Sequence, residues 1–204
     1  MNKVRVHKIR EIHAGKVFKL LQEELTLPNG FTTSLDVIHH PGAAAVVALG
    51  EEGKVLLLKQ YRYAVKAHIW EIPAGTLSAG EEPVECARRE LAEETGYLAS
   101  EFQFLGQTIP VPGYSDERIH IFLAKGLTPS RQRLDQDEVL EVHSVPFAQA
   151  LEMVQTGQIQ DAKTIVGLSL ARMALETGDP GHPSGRFSQT LAPKARHKAE
   201  SKKT

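Results

Sequence analysis

Three glutamates, Glu90, Glu93 and Glu94, crowd into five consecutive residues near the middle of the chain. On a helix with about 100° per residue, Glu94 and Glu93 lie about 40° and about 60° from Glu90, on opposite sides of it, so all three carboxylates can address one point. Two carboxylates about 5 Å apart repel by about 3 kcal/mol at an effective dielectric constant of about 20. Such a group needs compensation, either from solvent and the two arginines that precede Glu90 or from a bound cation.

The residues ahead of the glutamates favour the cation. Gly75 allows a close backbone approach just before a loop, and Glu81 follows six residues later. Arg89 lies eight residues after Glu81, where its planar guanidinium can bind two carboxylates and aim them. Clustered oxygen ligands without histidine or cysteine suit hard cations, Mg²⁺ or Mn²⁺, which keep waters or substrate phosphates in their other positions. The pattern therefore predicts a metal site made of carboxylates.

The spacing of these residues resembles the Nudix box. The pattern is glycine, five residues, glutamate, seven residues, arginine-glutamate-apolar, any residue, glutamate-glutamate, any residue and glycine-apolar. Every fixed position is filled, by Gly75, Glu81, Arg89, Glu90, Leu91, Glu93, Glu94, Gly96 and Tyr97. The resemblance covers roughly residues 40 to 175. It implies an α+β fold, the α/β/α sandwich of the Nudix family with a mixed β-sheet between helices, and Mg²⁺-dependent hydrolysis of a nucleoside diphosphate linked to another group.

The resemblance also implies which residues hold the metal. Carried over by position, the ligands are the backbone carbonyl of Ala74 and the side chains of Glu90 and Glu94, with Glu93 shared between metals or held just outside the inner ligands. Arg89 would orient its neighbouring box carboxylates and not touch the substrate. The implied cofactor is Mg²⁺, with Mn²⁺ as the alternative.

Two flanking segments resemble the ADP-ribose pyrophosphatase branch of this family. EIPAG (71–75) leads into the box, and VPGYSDERIHIFLA (111–124) follows it, with Pro112 fifteen residues past Tyr97. This resemblance implies hydrolysis of ADP-ribose to AMP and ribose 5-phosphate. The alternatives are another nucleoside diphosphate sugar, such as a GDP- or UDP-sugar, and a non-catalytic module that senses ADP-ribose. The complete set of box glutamates favours catalysis over sensing.

Substrate contacts are implied for three residues of the segment before and within the box. Arg62, in QYRYAVKAHIWEIPAG, would contact the diphosphate or the terminal ribose, and Glu71 would accept hydrogen bonds from a ribose or from a partner residue. Leu77, two residues after Gly75, is the third predicted contact. Read from the residues alone, Arg62 could equally be an exposed strand charge and Glu71 a salt-bridge partner.

A further acid is expected from the same resemblance, on a loop before a late strand, where it would position or deprotonate the attacking water. The matching stretch is LDQDEVLEV (134–142), and Glu138 is the predicted residue, with Asp137 and Glu141 as rivals. If none of these loop acids acts on the water, Glu93 is the next candidate.

The elements that must position these residues show as hydrophobic runs separated by turns. Residues 4 to 40 form extended segments around an LPNG turn (27–30). AAAVVAL (43–49) and KVLLLKQYRY (54–63) are predicted to be strands buried on both faces and joined as a hairpin through GEEGK. A helix begins around Pro83 and stops at Gly96, and we expect it to carry an apolar stripe of Val84, Ala87, Leu91 and Leu98. Three strands and two helices (146–157 and 164–178) follow.

Bulk composition restricts the partners. The 204 residues carry a net charge of −1, and the segment from residue 178 onward holds six basic and two acidic residues, so a tail of +4 leaves −5 for the remainder. An acidic body argues against nucleic acid as a partner. Cys86 is the single cysteine, no signal-peptide core is evident, and no apolar run approaches the roughly 20 residues of a membrane span. We expect a cytoplasmic protein that does not bind a membrane.

Three regions are predicted. Residues 1–40 form an N-terminal antiparallel strand segment, residues 41–177 the Nudix hydrolase domain, and residues 178–204 a disordered basic tail without apolar periodicity. By resemblance to the same branch, the strand segment is expected to pack across a second copy and form a homodimer. The remaining partner is a small-molecule nucleoside diphosphate sugar.

Overall fold

The computed structural model describes residues 3–177. The predicted tail, 178–204, lies outside these residues. The described chain contains ten strands and three helices, arranged as one N-terminal sheet, two further sheets and the helices that cover them.

The N-terminal sheet is antiparallel, as predicted. Its strands β1 (Arg5–Ala14), β2 (Lys19–Thr26) and β3 (Thr32–His39) pair in the order β1-β2-β3. The LPNG turn joins β2 to β3, with Gly30 in a left-handed conformation (φ 87°) and its N–H donated to the carbonyl of Leu27 at 2.9 Å. Every residue of β1 is exposed, whereas β3 is joined to the segment before β9 through Ile38, whose N–H donates to the carbonyl of Tyr114 at 2.7 Å.

The central sheet is mixed and lies between helices, as predicted. Its order is β7 (Ala74–Thr76), β4 (Ala43–Ala48), β9 (Ile119–Pro129) and β8 (Tyr97–Thr108), with β4 and β9 parallel and the other pairs antiparallel. All six residues of β4 are buried. Because successive side chains of a strand point to opposite faces, Ala45 and Val47 join the cluster under the last helix, whereas Ala44 and Val46 join the cluster under the first.

The predicted hairpin between the second pair of apolar runs is wrong. β5 (Lys54–Arg62) belongs to a third sheet, in the order β10 (Leu140–Pro146), β5 and β6 (Ala67–Glu71), and a single bridge, Leu49 with Val55, connects it to the end of β4. Both β4 and β5 are central strands with a neighbour on each side. Neither therefore has a free edge for the other, although the prediction that each is buried is confirmed over most of its length.

Helix α1 (Pro83–Thr95) carries the three clustered glutamates and begins and ends where the sequence predicts. Pro83 lies in its first turn, where its missing N–H leaves no intrahelical bond unmade. Gly96 ends it in a left-handed conformation (φ 70°) and donates its N–H to the carbonyl of Ala92. Leu98 was wrongly placed on the apolar stripe, because it lies beyond this stop, exposed in β8. Two glutamates, Glu90 and Glu94, instead belong to the buried face.

The two C-terminal helices are confirmed as α2 (Phe147–Gln155) and α3 (Ala162–Thr177). Helix α3 covers the central sheet closely at Gly167, where an added Cβ would lie 2.8 Å from Ile72 Cδ1. No helix within residues 3–177 is long and apolar enough to cross a membrane.

Candidate active site

Gly75 and Glu90 share one small space between β7 and α1. A Cβ built on Gly75 would lie 1.8 Å from Glu90 Oε1 and 2.0 Å from Glu90 Cδ. Both distances are far below van der Waals contact, so any other residue at position 75 would displace the carboxylate. The close approach predicted for Gly75 is therefore an approach between the β7 backbone and a buried glutamate.

Glu94 lies one turn further along the same face. Its Oε2 accepts a hydrogen bond from the Ala74 N–H at 2.8 Å, and the residue is only 2% exposed. Burial raises the pKa of Glu94 to about 8, and the nearby charges of Glu90 and Glu138 act in the same direction. Burial also raises the pKa of Glu90, against the effect of Arg89.

Arg89 contacts three glutamates at once. Its Nε and Nη2 donate to the two oxygens of Glu81 at 2.9 and 3.0 Å, and its Nη1 donates to Glu90 Oε1 at 2.6 Å and Glu93 Oε2 at 3.2 Å. The bidentate bond from Arg89 lowers the pKa of Glu81 to about 2. Glu81 is thus neutralised by the arginine and Glu90 shares it, whereas within residues 3–177 Glu94 is bonded by the Ala74 backbone N–H and not by Arg89.

The donor set fits a hard divalent cation. Glu90 and Glu94 are buried carboxylates whose charge is opposed by burial, and a cation beside them would favour the ionised form of both. Within residues 3–177, no three His, Cys, Asp or Glu side chains converge closely enough to hold a metal unaided. A hard divalent cation held by two carboxylates takes its remaining ligands from waters and substrate phosphates.

The loop between β9 and β10 is hydrogen-bonded to neighbouring elements at both ends. At its start, Gln132 Nε2 donates to the carbonyl of Glu94 at 2.6 Å and the Arg133 N–H donates to the carbonyl of Glu93 at 2.9 Å. At its end, the Tyr61 N–H of β5 donates to the carbonyl of Val139 at 3.0 Å. The loop therefore runs from the last turn of α1 to β5, past the box glutamates.

Of the three candidate acids, Asp137 and Glu138 lie in this loop and Glu141 lies in β10; Glu138 is the one whose charge acts on the box glutamates. It is half-buried, its Oε2 accepts the Asp135 N–H at 2.8 Å, and its charge raises the pKa of both Glu90 and Glu94. Asp137 is exposed. Glu141 is also exposed and lies 3.2 Å from His143 Nε2.

Arg62 and Glu71 form a bidentate ion pair beside the glutamates. Arg62 Nε and Nη2 donate to Glu71 Oε1 and Oε2 at 2.7 and 2.8 Å, and Lys163 Nζ also donates to Oε2. Although burial opposes it, these cations lower the pKa of Glu71, which is 1% exposed. Glu71 thus makes the salt bridge that its residue type alone allowed, and its predicted contact with the substrate stays a prediction. Arg62 is paired rather than a lone strand charge, and it is close enough to Glu94 for their charges to interact.

Lys163 is a site residue that sequence reasoning missed. It lies 92 positions from Glu71 and follows no motif, so no spacing signal connects the two. Leu77, by contrast, was predicted as a substrate contact and packs with the apolar cluster under α1, where its N–H donates to the carbonyl of Gly42 at 3.0 Å.

Comparison with known proteins agrees with this geometry. The NUDIX domain family model matches residues 38–166. An ADP-ribose pyrophosphatase of Bacillus subtilis (strain 168) is 41% identical over 165 residues, covering 80% of this chain and 89% of the relative. A methanol dehydrogenase activator of Bacillus methanolicus is 38% identical over 168 residues, 81% of this chain and 91% of the relative. A crystal structure of an ADP compounds hydrolase superposes with a TM-score of 0.77 at 22% identity, covering 88% of this chain and 98% of that one.

Proposed function

Because the chain belongs to the NUDIX domain family, we propose that it hydrolyses the diphosphate of ADP-ribose to AMP and ribose 5-phosphate, with Mg²⁺, or Mn²⁺, as cofactor. The observation that carries the proposal is the buried Glu90–Glu94 pair held against the β7 backbone, with Arg89 aligning the box. The choice of ADP-ribose rests on similarity to the Bacillus subtilis pyrophosphatase over most of both chains.

The metal would be held by Glu90 and Glu94, with the Ala74 carbonyl and Glu93 contributing as predicted. When bound, a divalent cation supplies charge neutralisation of the diphosphate and lowers the pKa of a bound water. In the reaction, the water oxygen bonds to one phosphorus, the bond from that phosphorus to the bridging oxygen breaks, and the bridging oxygen leaves with the other phosphate. Arg89 would orient the Glu90 carboxylate toward the metal through its 2.6 Å hydrogen bond and would not contact the substrate.

Glu138 is proposed to take the proton of the attacking water. Its support is the effect of its charge, which raises the pKa of both Glu90 and Glu94, and its position on a loop hydrogen-bonded to α1 and β5. A positioned carboxylate of this kind typically contributes a factor of about 10² to 10⁴ to the rate. Arg62 is proposed to bind the diphosphate or the terminal ribose, since only Nε and Nη2 of its guanidinium bond to Glu71 and its side chain is 42% exposed. Leu77 is also proposed to contact the substrate, as predicted from the resemblance.

A homodimer built on residues 1–40 is also proposed. The sheet β1-β2-β3 and the residues beside its strands carry exposed apolar side chains, Val4, Val6, Ile9, Ile12, Phe18 and Leu35. A three-stranded sheet with so much uncovered apolar surface is typical of an interface. Light scattering after size-exclusion chromatography should give twice the mass of one chain, and Ile9→Lys should give the monomer. A monomeric wild-type protein would remove this part of the proposal.

The substrate is tested with a panel of nucleotides in Mg²⁺. Phosphate release is measured after coupling to a phosphatase, for ADP-ribose, GDP-mannose, NADH and 8-oxo-dGTP. ADP-ribose should have the highest kcat/KM, and Glu94→Gln should lower its kcat by at least about 10². A clear preference for GDP-mannose would replace ADP-ribose as the substrate, and near-wild-type turnover by Glu94→Gln would remove the metal assignment.

A further inference from the structure

Glu71 and Lys163 join two parts of the molecule that the sequence keeps far apart. Glu71 ends β6, three residues before Ala74, whose N–H binds Glu94. Lys163 lies in the first turn of α3, and its side chain, 13% exposed, is held between Glu71 Oε2 and Asp161 Oδ2, the latter at 3.1 Å. A lysine this buried beside a fully buried carboxylate is part of an organised network rather than a surface ion pair.

The start of α3 is bonded to the β6–β7 segment at a second point. Asp161 Oδ2 accepts bonds from the Thr164 N–H at 3.0 Å and from Thr164 Oγ1 at 2.6 Å. Thr164 Oγ1 in turn accepts the Ile72 N–H at 2.9 Å. Helix α3 is therefore bonded both to the Glu71 side chain, through Lys163, and to the backbone of the following residue, through Thr164.

The network ends at Arg62, which bonds Glu71 through Nε and Nη2 and so has Nη1 left for a ligand. Among the described residues, Glu71 is the carboxylate that Arg62 hydrogen-bonds, so the orientation of Arg62 depends on how Glu71 is held. Lys163 also shares the negative charge of Glu71. Without it, Glu71 would hold Arg62 as its single cation and neutralise it more fully, leaving less positive charge for an anionic ligand.

We propose that Lys163 is a positioning residue for substrate binding: through Glu71 it sets the orientation and the available charge of Arg62 toward the diphosphate. The inference rests on the proposed function, in which Arg62 binds that group. It predicts an effect on substrate affinity and little effect on the chemical step, because Lys163 touches neither the box glutamates nor the loop acid.

The test compares kinetics and melting temperature for Lys163→Met, Lys163→Arg and a control, Lys54→Met, whose lysine pairs with Glu52 at the surface. Lys163→Met should raise KM about tenfold with kcat within about twofold, a loss of binding common to ground and transition states. Lys163→Arg should bring KM back close to wild type, because it keeps a cation on Glu71. Lys54→Met should leave both constants unchanged. An unchanged KM in Lys163→Met, or an equal rise in Lys54→Met, would overturn the proposal.

A double variant separates positioning from simple structural support and covers the case in which Lys163→Met does not fold. In Glu71→Gln/Lys163→Met the buried charge of Glu71 is removed together with its lysine, and Asp161 keeps its two bonds from Thr164, so the melting temperature should recover while KM stays high. Recovery of KM together with the melting temperature would show a structural role alone and overturn the proposal. The kinetics use whichever panel nucleotide the wild-type protein hydrolyses best, so failure of ADP-ribose as substrate is distinguishable from failure of the Lys163 inference.

Discussion

Replacing Glu94 by glutamine should stabilise the metal-free protein at alkaline pH while removing its activity. Glu94 is 2% exposed, and burial raises its pKa from an ordinary 4.5 to about 8. The folded protein therefore holds a proton on Glu94 across a pH range in which the unfolded chain has released it. Glutamine has the shape of the protonated acid and no charge to lose, so it removes this pH dependence.

The sign follows from proton linkage. Between about pH 4.5 and pH 8 the folded state binds more protons than the unfolded state at this position, so the contribution of Glu94 to the free energy of unfolding falls as pH rises. Each pKa unit corresponds to about 1.4 kcal/mol, so the shift amounts to a loss on the order of 3 to 5 kcal/mol by pH 8. For a chain of this size that is roughly 10 °C in melting temperature.

Thermal melts in EDTA at pH 5 to 9 measure the effect, with wild type, Glu94→Gln and the control Glu85→Gln, an exposed glutamate on the same helix. The difference between wild type and Glu94→Gln should grow through neutral pH, and Glu85→Gln should follow wild type. Added Mg²⁺ should raise the melting temperature of wild type at pH 8 and not that of Glu94→Gln. A difference that stays constant from pH 5 to 9 would refute the reasoning.

Three further substitutions have distinct expected outcomes. Glu138→Gln should lower kcat and kcat/KM together by about 10² to 10⁴ with KM nearly unchanged, whereas Asp137→Asn and Glu141→Gln should be milder; a crippled Asp137→Asn would move the role within the loop. Gly75→Ala should abolish turnover and lower the melting temperature, since the added Cβ would lie 1.8 Å from the present position of Glu90 Oε1. Normal turnover would contradict the close approach of the β7 backbone to Glu90. Gln60→Met should raise the melting temperature by a few degrees, because Gln60 is 4% exposed and its Oε1 has no hydrogen-bond partner among the described residues; a fall would show an unrecognised partner.

Features encoded by local spacing were predicted well. The limits of α1 depend on Pro83 at one end and Gly96 at the other, and both act through their own backbone conformation. The glutamates share a face because helical geometry places them there. The strand pairing of the second apolar hairpin failed, because two adjacent apolar runs say nothing about which neighbours the rest of the chain will supply.

The sequence by itself determined the chemistry of this protein: a helix with three clustered carboxylates, an arginine to align them and a glycine to admit them. Only the tertiary structure decided how strongly each group is perturbed. Glu94 has a pKa of about 8 because the fold buries it, and Arg62 is held through Lys163, 101 positions away. Hydrogen bonds within a helix turn depend on residues three or four apart, whereas burial and ion pairing depend on which distant segments fold over them.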